Sequence, residues 1–407
     1  MKHVRLGPFL GVNNRNPDTQ LGSEDTRAWL KRAVNVDVTN AGALKRRMGY
    51  RRALAATDAH SLWSDGERAF YVDGRTLCRL EGDARSPRSV VARAGLALGK
   101  PMSFASFGED IYYSNGAQLG RLEAGSEDAP VWPERLAWEP EIRVTADGAL
   151  GKGLYQVMCT RADEAGRESV PCRANQAVVP EKGKITLTLL EAARVYLTPA
   201  NGDEFYSHGL FPAGAVEIAL AQDGGGRCFT RRLAPMPPGE IVRAAFGRLL
   251  IASGNTLFFS EPYLPGLYDP ARGSIRFSRQ ITLLEPCGDG IYISADQTRW
   301  LSGDIAADAA LRVVHPLPAY ARSGQHLPDT EEVVWYSDLG LVKGDASGKA
   351  EFLQAGQIAT KKGGAAAILY RRQDGLKQLV AAIDDAKRTV AGVRATMSAE
   401  LVRGTTP

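Results

Sequence analysis

Short apolar runs separated by glycine-containing turns recur along this chain. One unit opens at Gly66 and reads GERAFYVDGRTLCRLEGD, and a second opens at Gly108 and reads GEDIYYSNGAQLGRLEAG. The two units align without a gap at an offset of 42 positions. Each contains two runs rich in aromatic and β-branched residues around a polar turn, which is the pattern of a β-hairpin.

Further copies of this unit follow in the second half of the chain. They begin at Gly247, Gly290 and Val333, and a weaker copy begins near Ala367. A spacing of about 40–45 residues is typical of one four-stranded blade of a β-propeller. The sequence therefore predicts a mainly β protein with a β-propeller. An array of antiparallel hairpins in a sandwich is the alternative.

Two dipeptides are expected to form tight turns within these hairpins. Asp73-Gly74 and Asn115-Gly116 each stand between the two apolar runs of a unit. Such pairs supply the residues that tolerate positive φ, as two-residue hairpin turns require. We therefore expect each pair to form the turn of its hairpin.

The regular spacing breaks between Gly108 and Gly247. Residues 141–235 read as strands separated by turn clusters and end at a proline-rich linker. An immunoglobulin-like or fibronectin-like β-sandwich of about 90 residues, inserted into the propeller, fits this segment. The predicted organisation is an N-terminal arm contacting neighbouring subunits at 1–55, blades at 56–140, the inserted sandwich at 141–235, and further blades with C-terminal closure at 236–407.

Composition excludes several classes of protein. The 407 residues are 44% apolar and 24% charged, as in ordinary globular domains. Five cysteines without a CxxC motif predict neither a disulfide framework nor a zinc site, and reducing conditions during folding fit best. No apolar run approaches 18 residues and the N-terminus lacks a signal-peptide core, so no membrane-spanning segment is expected.

The N-terminal arm carries most of the positive charge. Residues 1–60 contain eleven Lys or Arg and five Asp or Glu, a net charge of +6 against +4 for the whole chain. Its basic cluster could contact DNA phosphates without reading sequence, or form salt bridges between subunits. A solvated surface arm is the plainer alternative. The cluster consists of Lys45, Arg46, Arg47, Arg51 and Arg52.

Two further local predictions concern the arm and the C-terminal region. Residues 25–34 favour one or two helical turns, with Ser23 or Asp25 as the cap. The basic pair Arg371-Arg372 is expected to be a solvated loop pair.

Motifs for catalysis or metal binding are absent from the sequence. The five histidines have no carboxylate or cysteine at metal-ligand spacing, and no GxSxG, HExxH, P-loop or EF-hand motif occurs. Ser294–Trp300 resembles the Asp-box of sialidase-type propellers, but its glycine is missing and its spacing is one residue short. That box is a structural turn. We therefore expect no catalytic residue, no metal, no cofactor and no enzymatic activity.

Three segments near the start of the chain form an ordered set of motifs. Gly11–Asn14, Leu30–Asp37 and Gly42–Tyr50 read GVNN, LKRAVNVD and GALKRRMGY. Further segments of this set are Arg194–Thr198, Phe205–Tyr206, Gly254–Pro262, Gly290–Ile293 and Trp335–Gly340. No single motif is specific, but their order resembles tail nozzle or tail hub proteins of short-tailed bacteriophages.

The resemblance implies a structural virion protein that forms a homo-hexameric ring below the portal and its adaptor ring. Such a ring extends the DNA channel, helps to retain packaged double-stranded DNA and lets it pass during ejection. The implied partners are other copies of the chain, the adaptor or portal ring, and tail fibre or tail tip proteins. The implied location is the virion tail, after synthesis in the host bacterial cytoplasm. A net charge of only +4 fits a channel in which DNA slides.

A glycan- or receptor-binding propeller module is the alternative function. Aromatic residues clustered on the loops between blades, with exposed carboxylates, would favour it. Most of the tryptophans in or near hairpins are instead expected to be core anchors. They are Trp63, Trp132, Trp138 and Trp300.

Overall fold

Strands dominate the computed structural model of the chain. It describes residues 8–21, 28–47, 52–83, 86–123, 135–162, 166–220, 225–354, 356–359, 363–373 and 376–385. These residues contain two short 3-10 helices, Asp18–Gln20 and Phe229–Arg232, and no α-helix. The chain divides into two compact units. One comprises Met1–Ser103, Ala252–Thr256 and Arg276–Pro407, and the other comprises Phe104–Ile251 and Leu257–Ile275.

The N-terminal arm contains four short strands. They are β1 (Phe9–Val12), β2 (Ala28–Leu30), β3 (Val36–Val38) and β4 (Leu44–Arg46). Strands β1 and β2 pair in parallel, and β3 and β4 form an antiparallel hairpin. The helix expected over 25–34 is wrong in its described part, because β2 is extended and buries Leu30. Pairing with β1 outweighs the local helical pattern.

Two antiparallel sheets follow the arm. Blade 1 consists of β5 (Ala59–Ser64), β6 (Ala69–Asp73), β7 (Thr76–Glu81) and β8 (Arg88–Arg93). The described part of blade 2 consists of β9 (Ser103–Phe107), β10 (Asp110–Ser114) and β11 (Leu119–Leu122). The first two sequence repeats are the hairpins β6–β7 and β10–β11.

The next seven strands form two sheets around one core. They are β12 (Glu141–Leu150), β13 (Gly153–Thr160), β14 (Asn175–Val179), β15 (Gly183–Leu189), β16 (Ala193–Leu197), β17 (Tyr206–Phe211) and β18 (Gly214–Ile218). The strand orders are β12-β15-β18 and β14-β13-β16-β17. Buried side chains of both sheets, such as Leu187 and Val195, belong to a single cluster. This is the arrangement of a β-sandwich. Its immunoglobulin-like or fibronectin-like character stays a prediction.

Three further four-stranded sheets and a hairpin follow the sandwich. Strand β19 (Ala234–Pro235) pairs with β23 (Leu267–Tyr268). Blade 3 consists of β20 (Ile241–Ala245), β21 (Arg248–Ser253), β22 (Thr256–Phe259) and β24 (Ser274–Arg276). Blade 4 consists of β25 (Leu283–Cys287), β26 (Gly290–Ser294), β27 (Thr298–Ser302) and β28 (Ala310–His315). Blade 5 consists of β29 (Gln325–Leu327), β30 (Glu332–Ser337), β31 (Gly340–Asp345) and β32 (Ala350–Phe352). The terminal hairpin consists of β33 (Gly363–Gln373) and β34 (Leu376–Asp385).

Blades 4 and 5 share a hydrophobic core. Between blades 4 and 5, the ring centroid of Tyr292 lies 4.6 Å from that of Trp300 and 5.1 Å from that of Trp335. All three side chains are buried. Each blade is a separate meander of neighbouring strands, so the alternative of one hairpin array is set aside. The mainly β, propeller-type fold class is confirmed.

Strands β12–β18 lie in sequence between blades 2 and 3, which pack directly on each other. Tyr112 of blade 2 and Leu249 of blade 3 belong to one buried cluster. At the blade junction, Ser114 Oγ donates a hydrogen bond to Gly239 O at 2.7 Å and accepts one from Gly239 N at 2.9 Å. These two residues are 125 positions apart. The chain therefore leaves blade 2, forms the sandwich and returns beside its point of departure. The insertion of a separate sandwich domain and the four-part boundaries stay predictions.

Candidate functional site: the basic strand of the N-terminal arm

A hairpin loop fixes the fold of the N-terminal arm. Phe9 N donates to Gly42 O at 2.7 Å, so the tip of the β3–β4 hairpin rests on the start of β1. Gly42 has φ +75°, and a Cβ there would lie 2.5 Å from Pro8 Cβ and 2.8 Å from Phe9 N. Only glycine fits such a close approach in this backbone conformation. The close approach to β1 thus explains why a glycine opens the motif GALKRRMGY.

Two asparagines of the GVNN segment have distinct contacts. Asn13 is buried, and its Oδ1 accepts hydrogen bonds from the backbone of Arg15 at 3.2 Å and Asn16 at 3.1 Å, which forms an Asx-type turn. Asn14 binds the segment after blade 5, because its Nδ2 donates to Ala359 O at 3.0 Å and its Oδ1 accepts from Ala359 N at 2.6 Å. The arm is therefore attached to a distant part of its own chain.

Asp37 forms a second attachment. Arg47 Nη2 lies 2.7 Å from Asp37 Oδ1, and Arg371 Nη2 of the terminal hairpin lies 3.0 Å from Asp37 Oδ2. Burial by itself would raise the pKa of the Asp37 carboxyl, but the two guanidinium groups outweigh burial and hold that pKa below its ordinary value. The expectation that Arg371 is a solvated loop residue is wrong, since Arg371 lies on β33 and binds this carboxylate.

The structure distinguishes four of the five basic residues that the sequence grouped together. Arg47 is engaged within the chain by Asp37, whereas Lys45 and Arg46 lie on β4 with exposed side chains. Arg52 is exposed and donates to the carbonyl oxygens of Leu54 and Ala56 at 3.0 and 2.8 Å. Arg51 lies outside the described residues. Two of the five residues therefore share one strand, and the role of all five as DNA or subunit contacts stays a prediction.

Strand β4 combines charge with exposed apolar surface. Leu44 is 42% exposed and, two positions from Arg46, lies on the same face of the strand. Leu10 of β1 and Val34 before β3 are also exposed. Among the described residues, the sheet that contains β4 has only β3 as a second strand. A strand at a sheet edge leaves backbone groups that can pair with another chain, and its exposed basic side chains can bind an acidic partner surface.

The polar side chains of the Asp-box-like turn have structural contacts. In the Asp-box-like turn, Asp296 and Arg299 form an ion pair at 2.7 Å, and Thr298 Oγ1 donates to Ser294 Oγ at 3.1 Å.

Within the described ranges, no group of three or more His, Cys, Asp or Glu side chains is arranged to hold a metal ion. No helix in the described part of the chain has the length and apolar character needed to cross a membrane.

The chain matches no protein-family model and no curated protein. Several solved structures are similar to it at low identity. BBS1N in complex with ARL6DN has a TM-score of 0.32 and 12% identity, and the match covers 86% of this chain and 94% of that one. The gluconolactonase XC5397 from Xanthomonas campestris has a TM-score of 0.31 and 12% identity, with 77% and 80% covered. The WD40 beta propeller domain of Doa1 has a TM-score of 0.22 and 10% identity, with 70% and 92% covered. Scores of this size carry no argument about function, and the gluconolactonase does not make this chain an enzyme.

Proposed function

We propose that this chain is a structural protein of a bacteriophage tail, which assembles with copies of itself into a ring around the DNA channel. Strand β4 of the N-terminal arm would contact the neighbouring copy or the adaptor ring. The observation that carries the proposal is the exposure of Leu44, Lys45 and Arg46 on a strand whose arm is otherwise fixed to its own chain.

The attachments of the arm support an assembly role because they hold β4 in place before a partner binds. Hydrogen bonds from Asn14 and ion pairs from Asp37 connect the arm to two segments near the end of the described chain. A strand held in this way loses less conformational entropy on binding than a free tail would. Heterologous contacts between copies close into a ring when their rotation permits it.

The distribution of charge supports passage of DNA more than tight binding. The chain has a net charge of +4, and its basic residues are concentrated in the arm. Few phosphate contacts mean weak binding that falls only modestly with salt. Such a subunit would let a duplex slide, as retention and ejection of packaged DNA require. The ring would occupy the virion tail after synthesis in the bacterial cytoplasm.

Charge reversal on β4 tests the proposal in particles whose genome encodes the chain. The variant Lys45→Glu with Arg46→Glu replaces two exposed cations by anions, which opposes an interface built on complementary charge. We expect the amount of this protein in purified particles to fall at least tenfold, measured by quantitative mass spectrometry. The unaltered chain should occur at a fixed low copy number, six for a hexameric ring.

A matched control carries the same change in net charge elsewhere. Lys152→Glu with Arg173→Glu alters two exposed residues of the sandwich, and its incorporation should equal that of the unaltered protein. Equal incorporation of both double variants would refute the role of β4. Absence of the unaltered chain from purified particles would refute the virion assignment itself.

A further inference from the structure

The sandwich contains a cleft of about 510 Å³ beside strands β16 and β17. Segment 225–229 extends the sheet at this point, because Ser207 N donates to Gly226 O at 2.9 Å and Tyr206 bridges to Arg227. A Cβ on Gly225 would lie 2.1 Å from Ser207 O. Glycine thus permits the close approach of the backbone and leaves the cleft free of a side chain at this position.

The floor of the cleft is a cluster of polar side chains around the buried Glu168 carboxylate. Glu168 Oε2 accepts hydrogen bonds from Thr160 Oγ1 at 2.8 Å and from the Tyr196 hydroxyl at 2.7 Å. Arg194 Nε lies 2.9 Å from Glu168 Oε1, so the carboxylate and the guanidinium balance each other's charge. Burial, followed by the hydrogen bond to Glu168, raises the pKa of Tyr196, which therefore stays a neutral donor. The floor is held rigid before any ligand arrives.

The rim differs from the floor in charge and exposure. Arg227 is exposed, and its guanidinium carbon lies 5.9 Å from the centroid of the Tyr206 ring. Phe229 is 56% exposed. Burial lowers the pKa of His208, so that imidazole is neutral at pH 7. Since Arg194 is balanced by Glu168, Arg227 gives the lining a net positive charge beside an exposed aromatic ring.

These features together fit one class of ligand. An exposed ring packs against the apolar face of a sugar, and an arginine at the rim binds a carboxylate or a phosphate in two-point geometry. Ser207 and the peptide groups of Gly225 and Gly226 line the same cleft and offer hydrogen bonds to hydroxyl groups. One unbalanced cation is a weak site for a free inorganic anion, because such an ion has no contact with the ring.

We propose that the sandwich cleft binds an anionic saccharide, with the acidic group on Arg227 and a sugar ring on Phe229. The proposal rests on the sandwich alone and does not depend on the assembly role of the arm. A tail protein with this cleft would also contact an acidic surface polysaccharide.

A glycan array tests the proposal on the whole chain. The array carries saccharides that contain uronic acid, sialic acid or phosphate groups, each next to its neutral counterpart. We expect binding to acidic members, with the favoured member showing whether the acidic group is a carboxylate or a phosphate. In titrations with that member, Arg227→Ala should weaken binding about tenfold to a hundredfold, and Phe229→Ala about fivefold.

Matched variants separate the cleft from general effects of charge and apolar surface. Arg143→Ala removes an equal charge from an exposed site on β12, and Leu190→Ala removes an exposed apolar side chain after β15. Both should leave the affinity unchanged. Inorganic phosphate, as a probe of charge alone, should bind at least tenfold more weakly than the saccharide. Equal binding of acidic and neutral members, equal losses in the control variants, or no binding to any member would overturn the proposal.

Discussion

At the scale of single residues, Gly42 combines a left-handed backbone with a site that has no room for a side chain. Its φ is +75°, and the nearest atoms to an added Cβ belong to Pro8 and Phe9. Gly74 offers a matched comparison, since it has φ +59° but nothing within 4 Å of an added Cβ. The two sites therefore separate backbone strain from steric overlap.

We expect Gly42→Ala to lower the free energy of unfolding by about 2–4 kcal/mol, since strain and overlap act together. Gly74→Ala should cost about 1 kcal/mol, the penalty of the left-handed backbone alone. Urea denaturation of both variants measures the difference. Equal costs would contradict the close packing of the hairpin tip on β1.

The ion pairs of Asp37 predict a dependence of stability on pH. Because the folded-state pKa is lowered, the contribution of these pairs is fully present above the unfolded-state pKa of about 3.9 and is lost as pH falls through the folded-state pKa. Asp37→Asn should cost about 1–2 kcal/mol at pH 7 and flatten this part of the stability profile. Asp18→Asn is the control, because its pair with Lys31 is more exposed and should contribute less than about 0.5 kcal/mol. Parallel pH profiles of Asp37→Asn and the unaltered protein would count against the prediction.

The sequence predicted residue types better than residue positions. Gly74 and Gly116 have positive φ as expected, but neither expected pair forms a two-residue turn by itself. Asp73 pairs with Thr76 inside blade 1, and Asn115-Gly116 belongs to a four-residue loop between Ser114 and Leu119. The Asn115 side chain accepts bonds from the loop backbone at 2.8 and 3.0 Å and so favours the longer loop. Local turn propensity does not take into account that a side chain can bond to the loop backbone and favour a longer loop.

The burial of the tryptophans was also predicted only in part. Trp300 is buried as expected, whereas Trp63 and Trp138 are only partly buried. Trp132 lies outside the described residues. A large aromatic residue in a hairpin indicates a strand, but its burial depends on which neighbour covers it.

At the scale of elements, buried serines connect the strands to the chain that follows. Ser294, at the end of β26, accepts hydrogen bonds from Ala319 N at 2.7 Å and from Thr298 Oγ1 at 3.1 Å. Ser114 has the corresponding position at the end of β10 and binds Gly239. Each serine therefore satisfies backbone groups on the segment that leads into a later blade.

Removing this hydroxyl should leave a buried N–H without its partner. We expect Ser294→Ala to lower the free energy of unfolding by about 1–3 kcal/mol. Ser347→Ala, in the exposed turn after β31, is the control and should cost less than about 0.5 kcal/mol. Thermal and urea denaturation provide the comparison. Equal effects of the two changes would mean that the buried serine does not stabilise the blade.

Sequence repeats identified the inner hairpin of each blade and not the outer strands. The apolar hairpins β6–β7 and β26–β27 were visible because both strands are largely buried. The outer strand β28 has exposed Leu311 and Val313 and carries no comparable pattern. Pairing with β27 determines where β28 lies in the sheet, and the sequence pattern does not reveal this pairing.

At the scale of the whole chain, the arm contacts residues that are more than 300 positions away in the sequence. Asn14 binds Ala359, and Asp37 binds Arg371, over separations of 345 and 334 positions. The sequence showed that the arm was basic but gave no sign of these contacts, because the partners are neither periodic nor adjacent. The sandwich cleft was missed for the same reason. Its residues come from the segment between β13 and β14, from β16 and β17, and from a segment beyond β18.

We propose that the arm places β4 against a neighbouring subunit in a ring around DNA. The most direct measurement is a cryo-electron microscopy reconstruction of the tail of particles whose genome encodes this chain. We expect six copies around the channel, with Leu44, Lys45 and Arg46 of each copy in contact with the next copy or with the adaptor ring. A tail in which this chain is missing, or a ring in which β4 faces solvent in every copy, would contradict it.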